Sequence, residues 1–288
     1  MGKILVVADL PEKCSATPRG LQLAAKLGFS AEVVVFAYAP LKRLGVDSKQ
    51  QTKIKQRLMA ERETVVQARI DKYASTEQTV SLKVVWAKDI HPWIVARAAK
   101  GFAAVIKTGN QAHLASGTST DWHLLRECYA PVLLVADKKW HKTNSILAAV
   151  DLGTKNKRKR ALNHSVVAHA KLLADALEAP LNLIYAIDVP TILTDMDLID
   201  PAAYVRDQKE AMQPRLQELA AAHDISPKLF RCKRGPVAKV INSEAARVRA
   251  QLVVIGTLAR QGIAAHLIGN TAEEVLSHLH TDILTLKS

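Results

Sequence analysis

Short apolar runs rich in β-branched residues alternate with long helix-patterned stretches along the first half of this chain. Residues 3–8, 32–38, 82–86, 103–107 and 132–136 predict strands. The segments between them are long enough for crossover helices, so the strands are expected to run parallel. Thr17-Pro18 predicts a helix N-cap with proline in first position, and Gly28 predicts that helix's C-terminal cap. Ser48 and Gln51 form a capping-box pattern ahead of a long charged helix.

The same pattern then starts again. "KILVVADL" near the start matches "SILAAVDL" from Ser145, and "FAAVIK" from Phe102 matches "AQLVVIG" from Ala250. "TDWHLLRECYAPVLLV" from Thr120 matches "TAEEVLSHLHTDILTL" from Thr271. A period of half the chain is too long for a solenoid, so it predicts two copies of one domain, 1–138 and 144–288. Polar "DKKWHKTN" (137–144) is the expected linker. In the second copy Asp200-Pro201 and Gly235-Pro236 are expected to open helices, and Thr271 with Glu274 makes another capping box. The last strand of each copy ends at a boundary and leaves an edge. Pairing of those edges would give an internal pseudo-dimer.

Composition changes this picture little. Of 288 residues 49% are hydrophobic and 23% charged, the balance of a globular protein. No apolar run reaches the roughly 20 residues of a membrane span, and "MGKILVVADLP" reads as a first strand rather than a signal peptide. Three cysteines without a Cys-x-x-Cys pattern predict reduced thiols and a cytoplasmic location. The net charge of +13 favours anionic partners without specifying one. No pattern for sequence-specific nucleic-acid recognition is present.

Catalytic patterns are also absent: no G-x-S-x-G elbow, no H-E-x-x-H and no paired carboxylates in a motif. No catalytic residue and no metal ligand is assigned. His164 and His169 are five apart, and His278 and His280 two apart, so neither pair shares a helical face.

A parallel sheet binds ligands beyond the carboxyl ends of its strands. In the second half that edge carries Asp151, the loop "GTLARQG" with Gly256, Thr257 and Gly262, and "GNT" with Gly269, Asn270 and Thr271. In the first half it carries Asp9, "KTGNQ" and "TST". The basic run "KNKRKR" (155–160) follows Asp151 directly, as a grip for phosphate or as a solvated patch. Gly256 to Thr271 reads either as a phosphate loop or as a well-capped connection from strand to helix.

Two such βαβ copies, an aspartate ending strand 1 and a G-x(2)-G-x(9)-G-[ST]-like loop resemble the universal stress protein family, closest to its tandem, UspE-type members. The resemblance covers essentially the whole chain. It implies two tandem Rossmann-like domains, each a five-stranded parallel sheet with helices on both faces. It also implies a stress-response role through binding of a small ligand, without defined turnover, although some members hydrolyse ATP slowly. By resemblance, Asp151 contacts a nucleoside, while Gly256, Gly269 and the residues after it meet the phosphates of ATP or another nucleotide. The chain departs from the pattern at Ala259, where the second glycine belongs, and at Asn270, where a hydroxyl belongs. In the first half Lys107 replaces the first glycine and Thr118 the last, so no nucleotide is expected there. Asp9 is expected to order the following loop, and Trp86, Trp93 and Trp122 either pack or line an apolar crevice. Self-association is compatible with the family. The competing expectation is an interaction protein that binds no nucleotide and docks an acidic partner through its basic surface.

Overall fold

The computed structural model describes residues 2–9, 14–43, 45–109, 119–137, 140, 144–258, 274–276 and 281–288. The chain divides into two compact units, Met1–Asp137 and Lys138–Ser288. Both are α/β.

The first unit contains β1 (Lys3–Val7), α1 (Ala16–Leu27), β2 (Ser30–Ala37), α2 (Ser48–Tyr73) and β3 (Val80–Trp86). These are followed by α3 (His91–Ala98), β4 (Ala104–Thr108), α4 (Thr120–Glu127) and β5 (Val132–Val135). Its strands pair in parallel in the order β3-β2-β1-β4-β5. The strand order reverses between β1 and β4. Right-handed crossovers therefore put α1 and α2 on one face and α3 and α4 on the other, and the helices of each pair pack together. The central strands are buried on both sides, which is why they read as apolar runs without alternation.

Two helix starts differ from expectation. The N-cap of α1 is Ser15, not Thr17. Thr17 is fully buried, with its hydroxyl 3.3 Å from Cys14 Sγ. The helix begins earlier because the Thr108 hydroxyl, from β4, accepts a hydrogen bond from the Ala16 N–H at 3.0 Å. That satisfies one of the first-turn donors that α1 cannot satisfy itself. The cap of α2 is Asp47, whose carboxylate accepts from the Gln50 N–H at 2.7 Å. Gln51 donates to the Val46 carbonyl instead of closing a box with Ser48. Gly28 caps α1 in the left-handed conformation (φ 65°), as expected.

The second unit contains β6 (Ser145–Ala149), α5 (Lys157–Leu177), β7 (Leu181–Ile187), α6 (Thr191–Asp195) and α7 (Pro201–Ala222). These are followed by β8 (Phe230–Arg234), α8 (Val237–Arg247), β9 (Ala250–Thr257) and β10 (Asp282–Lys287). The order is β10-β9-β6-β7-β8, again parallel. Asp200 caps α7 through a 2.9 Å bond from the Ala202 N–H, with Pro201 in first position as expected. α8 follows Gly235-Pro236 directly. Among the described residues no helix is long and apolar enough to cross a membrane.

Candidate functional site

The second unit's strand order reverses between β6 and β9, and the chain leaves β6 there through Val150 and Asp151. The Asp151 N–H donates to Asn163 Oδ1 at 3.0 Å, and Asn163 Nδ2 donates back to the Asp151 carbonyl at 2.9 Å. Asn163 is largely buried on α5, so the loop bearing Asp151 is fixed to a rigid element. The Asp151 side chain itself stays 51% exposed, with Lys159 Nζ 3.3 Å from Oδ2. An ion pair this exposed contributes little stability, so the carboxylate stays free to exchange Lys159 for a ligand.

Beside Asp151 opens a cavity of about 420 Å³ at the carboxyl ends of β6, β7 and β9. Its polar lining includes Asp151, Lys159, Asn163 and Asp188, and its apolar lining includes Ile184 and Ile255. Small-molecule sites combine an apolar wall with a few convergent polar groups in this way.

Gly256 also borders this cavity, and the structure shows what it is for locally. A Cβ there would lie 2.6 Å from Leu162 Cγ and Cδ2. Its φ lies outside the left-handed region. The missing side chain makes room for α5 to seat Leu162 on β9, a packing role. Thr257 is buried, and its hydroxyl donates to the Leu286 carbonyl at 3.2 Å. Gly262, Gly269, Asn270 and Thr271, with Ala259 and the capping box at Thr271, lie outside the described residues.

The basic run forms the first turn of α5. Asn156 caps it, accepting from the N–H groups of Arg158 (2.8 Å) and Lys159 (3.3 Å). Cations oppose the helix dipole at this end, and Asp151 opposite Lys159 partly offsets them. A second cavity, of about 260 Å³, lies between this turn and α7, with Lys157, Arg160, His164 and Arg215 in its wall. Arg215 donates to the carbonyls of Leu152 (3.0 Å) and Thr154 (2.7 Å), tying α7 to the same loop. His164 Nδ1 lies 3.1 Å from His223 Nε2. Burial, helped by His164 and Lys171, pushes the His223 pKa below its ordinary 6.5.

The first unit's edge is built differently. The Asp9 carbonyl accepts from Arg69 at 2.7 Å, and its N–H points at Cys14 Sγ at 3.3 Å, so the Asp9 backbone is held where the chain leaves β1. Among the described residues, Asp9 Oδ2 is buried without a hydrogen-bond partner. The ladder corrects the alignment of Lys107 with the first glycine. Thr108 pairs with Val135 as Gly256 pairs with Leu286, which makes Thr108 the counterpart of Gly256 and Lys107 that of Ile255. Lys107 forms a 2.9 Å ion pair with Asp121, whose side chain is 1% exposed. Where the second unit has an apolar cavity wall, the first therefore has its own buried ion pair. Ser119 caps α4 as expected, accepting from the Trp122 N–H at 3.4 Å. Trp122 is buried, Trp93 packs edge-on against Phe36, and Trp86 leans on Tyr38.

Asn163 was not singled out from the sequence. The available signal was a lone amide inside the apolar stripe of α5, between Leu162 and Val166.

The profile of the universal stress protein family matches residues 142–287. Universal stress protein E of Escherichia coli (strain K12) is 29% identical over 259 residues, covering 88% of this chain and 81% of that protein. The universal stress protein E homolog of Haemophilus influenzae is 27% identical, covering 99% of this chain and 96% of that one. Among solved structures, a functionally unknown protein from Pseudomonas aeruginosa PAO1 matches with a TM-score of 0.71 at 26% identity, over 99% of this chain and 92% of that one. A universal stress protein from Archaeoglobus fulgidus matches in fold, with a TM-score of 0.68 at 15% identity, over 99% and 98% of the two chains.

Proposed function

Because the chain belongs to the universal stress protein family, with a role in the stress response, we propose that it acts there by binding a small ligand in its second unit, ATP or another nucleotide being the chemistry that fits. The observation that carries this reading is the 420 Å³ cavity with Asp151 at its mouth. Its apolar wall suits a base, and the half-exposed Asp151 carboxylate suits ribose hydroxyls. Lys159 and the basic turn 157–160 suit phosphates. The action proposed is binding without turnover, in the cytoplasm, where the three cysteines would stay reduced. We read the two units as two copies of the family's domain, 1–138 and 144–288, on the sequence repeat and the common strand order.

Native mass spectrometry of the full chain with and without Mg-ATP tests this reading. The expected result is one nucleotide per chain, with a rise in Tm that follows ligand concentration and is lost in Asp151→Ala. An unliganded mass and an unchanged Tm in both conditions would overturn it. The basic surface would then be the place to look, through salt-dependent binding of polyanions.

A further inference from the structure

We propose that His91, His123 and Glu127 form a site for a divalent transition-metal ion, with Zn²⁺ the best match, on the α3–α4 face of the first unit. The site lies in the first unit and shares no residue with the second unit's cavity.

His123 and Glu127 are four apart on α4, hence on one helical face, and His123 Nδ1 lies 2.9 Å from Glu127 Oε1. His91 is the first residue of α3, which packs against α4. Its ring stacks on that of His123, with centroids 4.0 Å apart and planes 13° from parallel. One donor atom from each of the three side chains lies within 4.8 Å of the others. All three are partly or well exposed, so an ion has direct access.

Two imidazole nitrogens and one carboxylate oxygen make a borderline donor set. It suits Zn²⁺, Cu²⁺ or Ni²⁺ and is a poor match for Mg²⁺ or Ca²⁺, which take oxygen ligands. Three protein ligands leave a fourth tetrahedral position for water. With bonds of about 2.0–2.2 Å, tetrahedral ligands sit roughly 3.3 Å apart. The His123–Glu127 pair needs to open by only a few tenths of an ångström. His91 must turn its ring out of the stack, a rotation that its exposed side permits. Once bound, the ion would tie α3 to α4 and stabilise the first unit in proportion to its occupancy.

The test is a calorimetric titration of Zn²⁺ into the full chain, stripped of metal and kept reduced. The expected result is one Zn²⁺ per chain. His91→Ala, His123→Ala and Glu127→Gln should each weaken binding by at least roughly tenfold, a loss that removing even an outer-shell partner can cause. His169→Ala, at a histidine of the second unit whose ring bonds the Ser165 carbonyl, should bind like the parent, and Mg²⁺ should not compete. Should a variant fail to fold, histidine-selective NMR of the parent decides, because one equivalent of Zn²⁺ must shift the ring signals of both His91 and His123. Absence of stoichiometric binding, binding that survives all three substitutions, or unmoved His91 and His123 signals would overturn the proposal.

Discussion

Asn163 and Asp151 exchange two hydrogen bonds, Asp151 N–H to Asn163 Oδ1 at 3.0 Å and Asn163 Nδ2 to the Asp151 carbonyl at 2.9 Å. One amide side chain thus replaces the backbone partner that the loop lacks where it leaves the sheet. Asn163→Ala should cost about 1–3 kcal/mol, because it leaves a donor and an acceptor without partners. Urea unfolding would measure this as a lower midpoint at unchanged slope. Nucleotide affinity should fall with it, since Asp151 would lose its anchorage. A variant as stable as the parent would show that water replaces the amide without cost.

Gly256 separates packing from ligand contact. Gly256→Ala places a methyl group 2.6 Å from Leu162 and should destabilise the chain by about 1–3 kcal/mol through overpacking. Leu162→Ala should then cost less in the Gly256→Ala background than in the parent, a coupling that a double-mutant cycle reads directly. Unchanged stability with lost nucleotide binding would instead assign Gly256 to the ligand.

Glu32 controls acid stability in the first unit. It receives a bidentate pair of hydrogen bonds from Arg97, at 2.6 and 2.5 Å, and one from Lys3 at 2.9 Å. The Arg97 bonds hold its carboxyl down to about 2 although burial works against them, with Lys3 helping. A carboxyl depressed in the folded state stabilises it fully above the unfolded value of 4.5, and that contribution is lost as pH falls through about 2. Glu32→Gln should therefore cost up to about 3 kcal/mol at neutral pH. The gap between variant and parent should close on acidification, which denaturant midpoints from pH 7 down to about 2 would show.

His223 acts in the same direction for a different reason. Its proton affinity is lowered first by burial and then by His164 and Lys171, so the unfolded chain protonates before the folded one. The folded state must lose stability as pH falls below about 6.5. His223→Gln should flatten the slope of Tm against pH as pH falls below about 6.5. A parallel slope in parent and variant would place the effect elsewhere.

Element positions were legible because buried parallel strands are written as apolar runs. The run at 132–136 becomes Val132–Val135, and that at 3–8 becomes Lys3–Val7. Helix starts were less so, because a cap depends on partners far along the chain. Thr108 decides where α1 begins, from 92 residues away. Asp151 was visible through the repeat. Asn163 was not, because its role depends on α5 extending back to Lys157 beneath the loop. The alignment of Lys107 with Gly256 failed by one residue, and in a strand one residue is the difference between its two faces. His123 and Glu127 had a readable spacing of four, but nothing local to them pointed to His91.

The Lys107–Asp121 pair sets how the first unit tolerates substitution at this place in its sheet. Lys107 corresponds to Ile255 by strand register, and Asp121 to Ala272 by the sequence repeat. Changing either one alone takes this counter-ion from the other charge, Asp121 at 1% exposure or Lys107 at 11%. Breaking such a buried pair costs about 3–5 kcal/mol, a large part of the stability of an ordinary domain. Replacing both together avoids most of that cost. Replacement of the pair in the first unit is therefore least costly when both positions change together. The first unit is thus constrained at two positions at once, where the second unit has Ile255 and Ala272 and carries no such coupled charge pair between them.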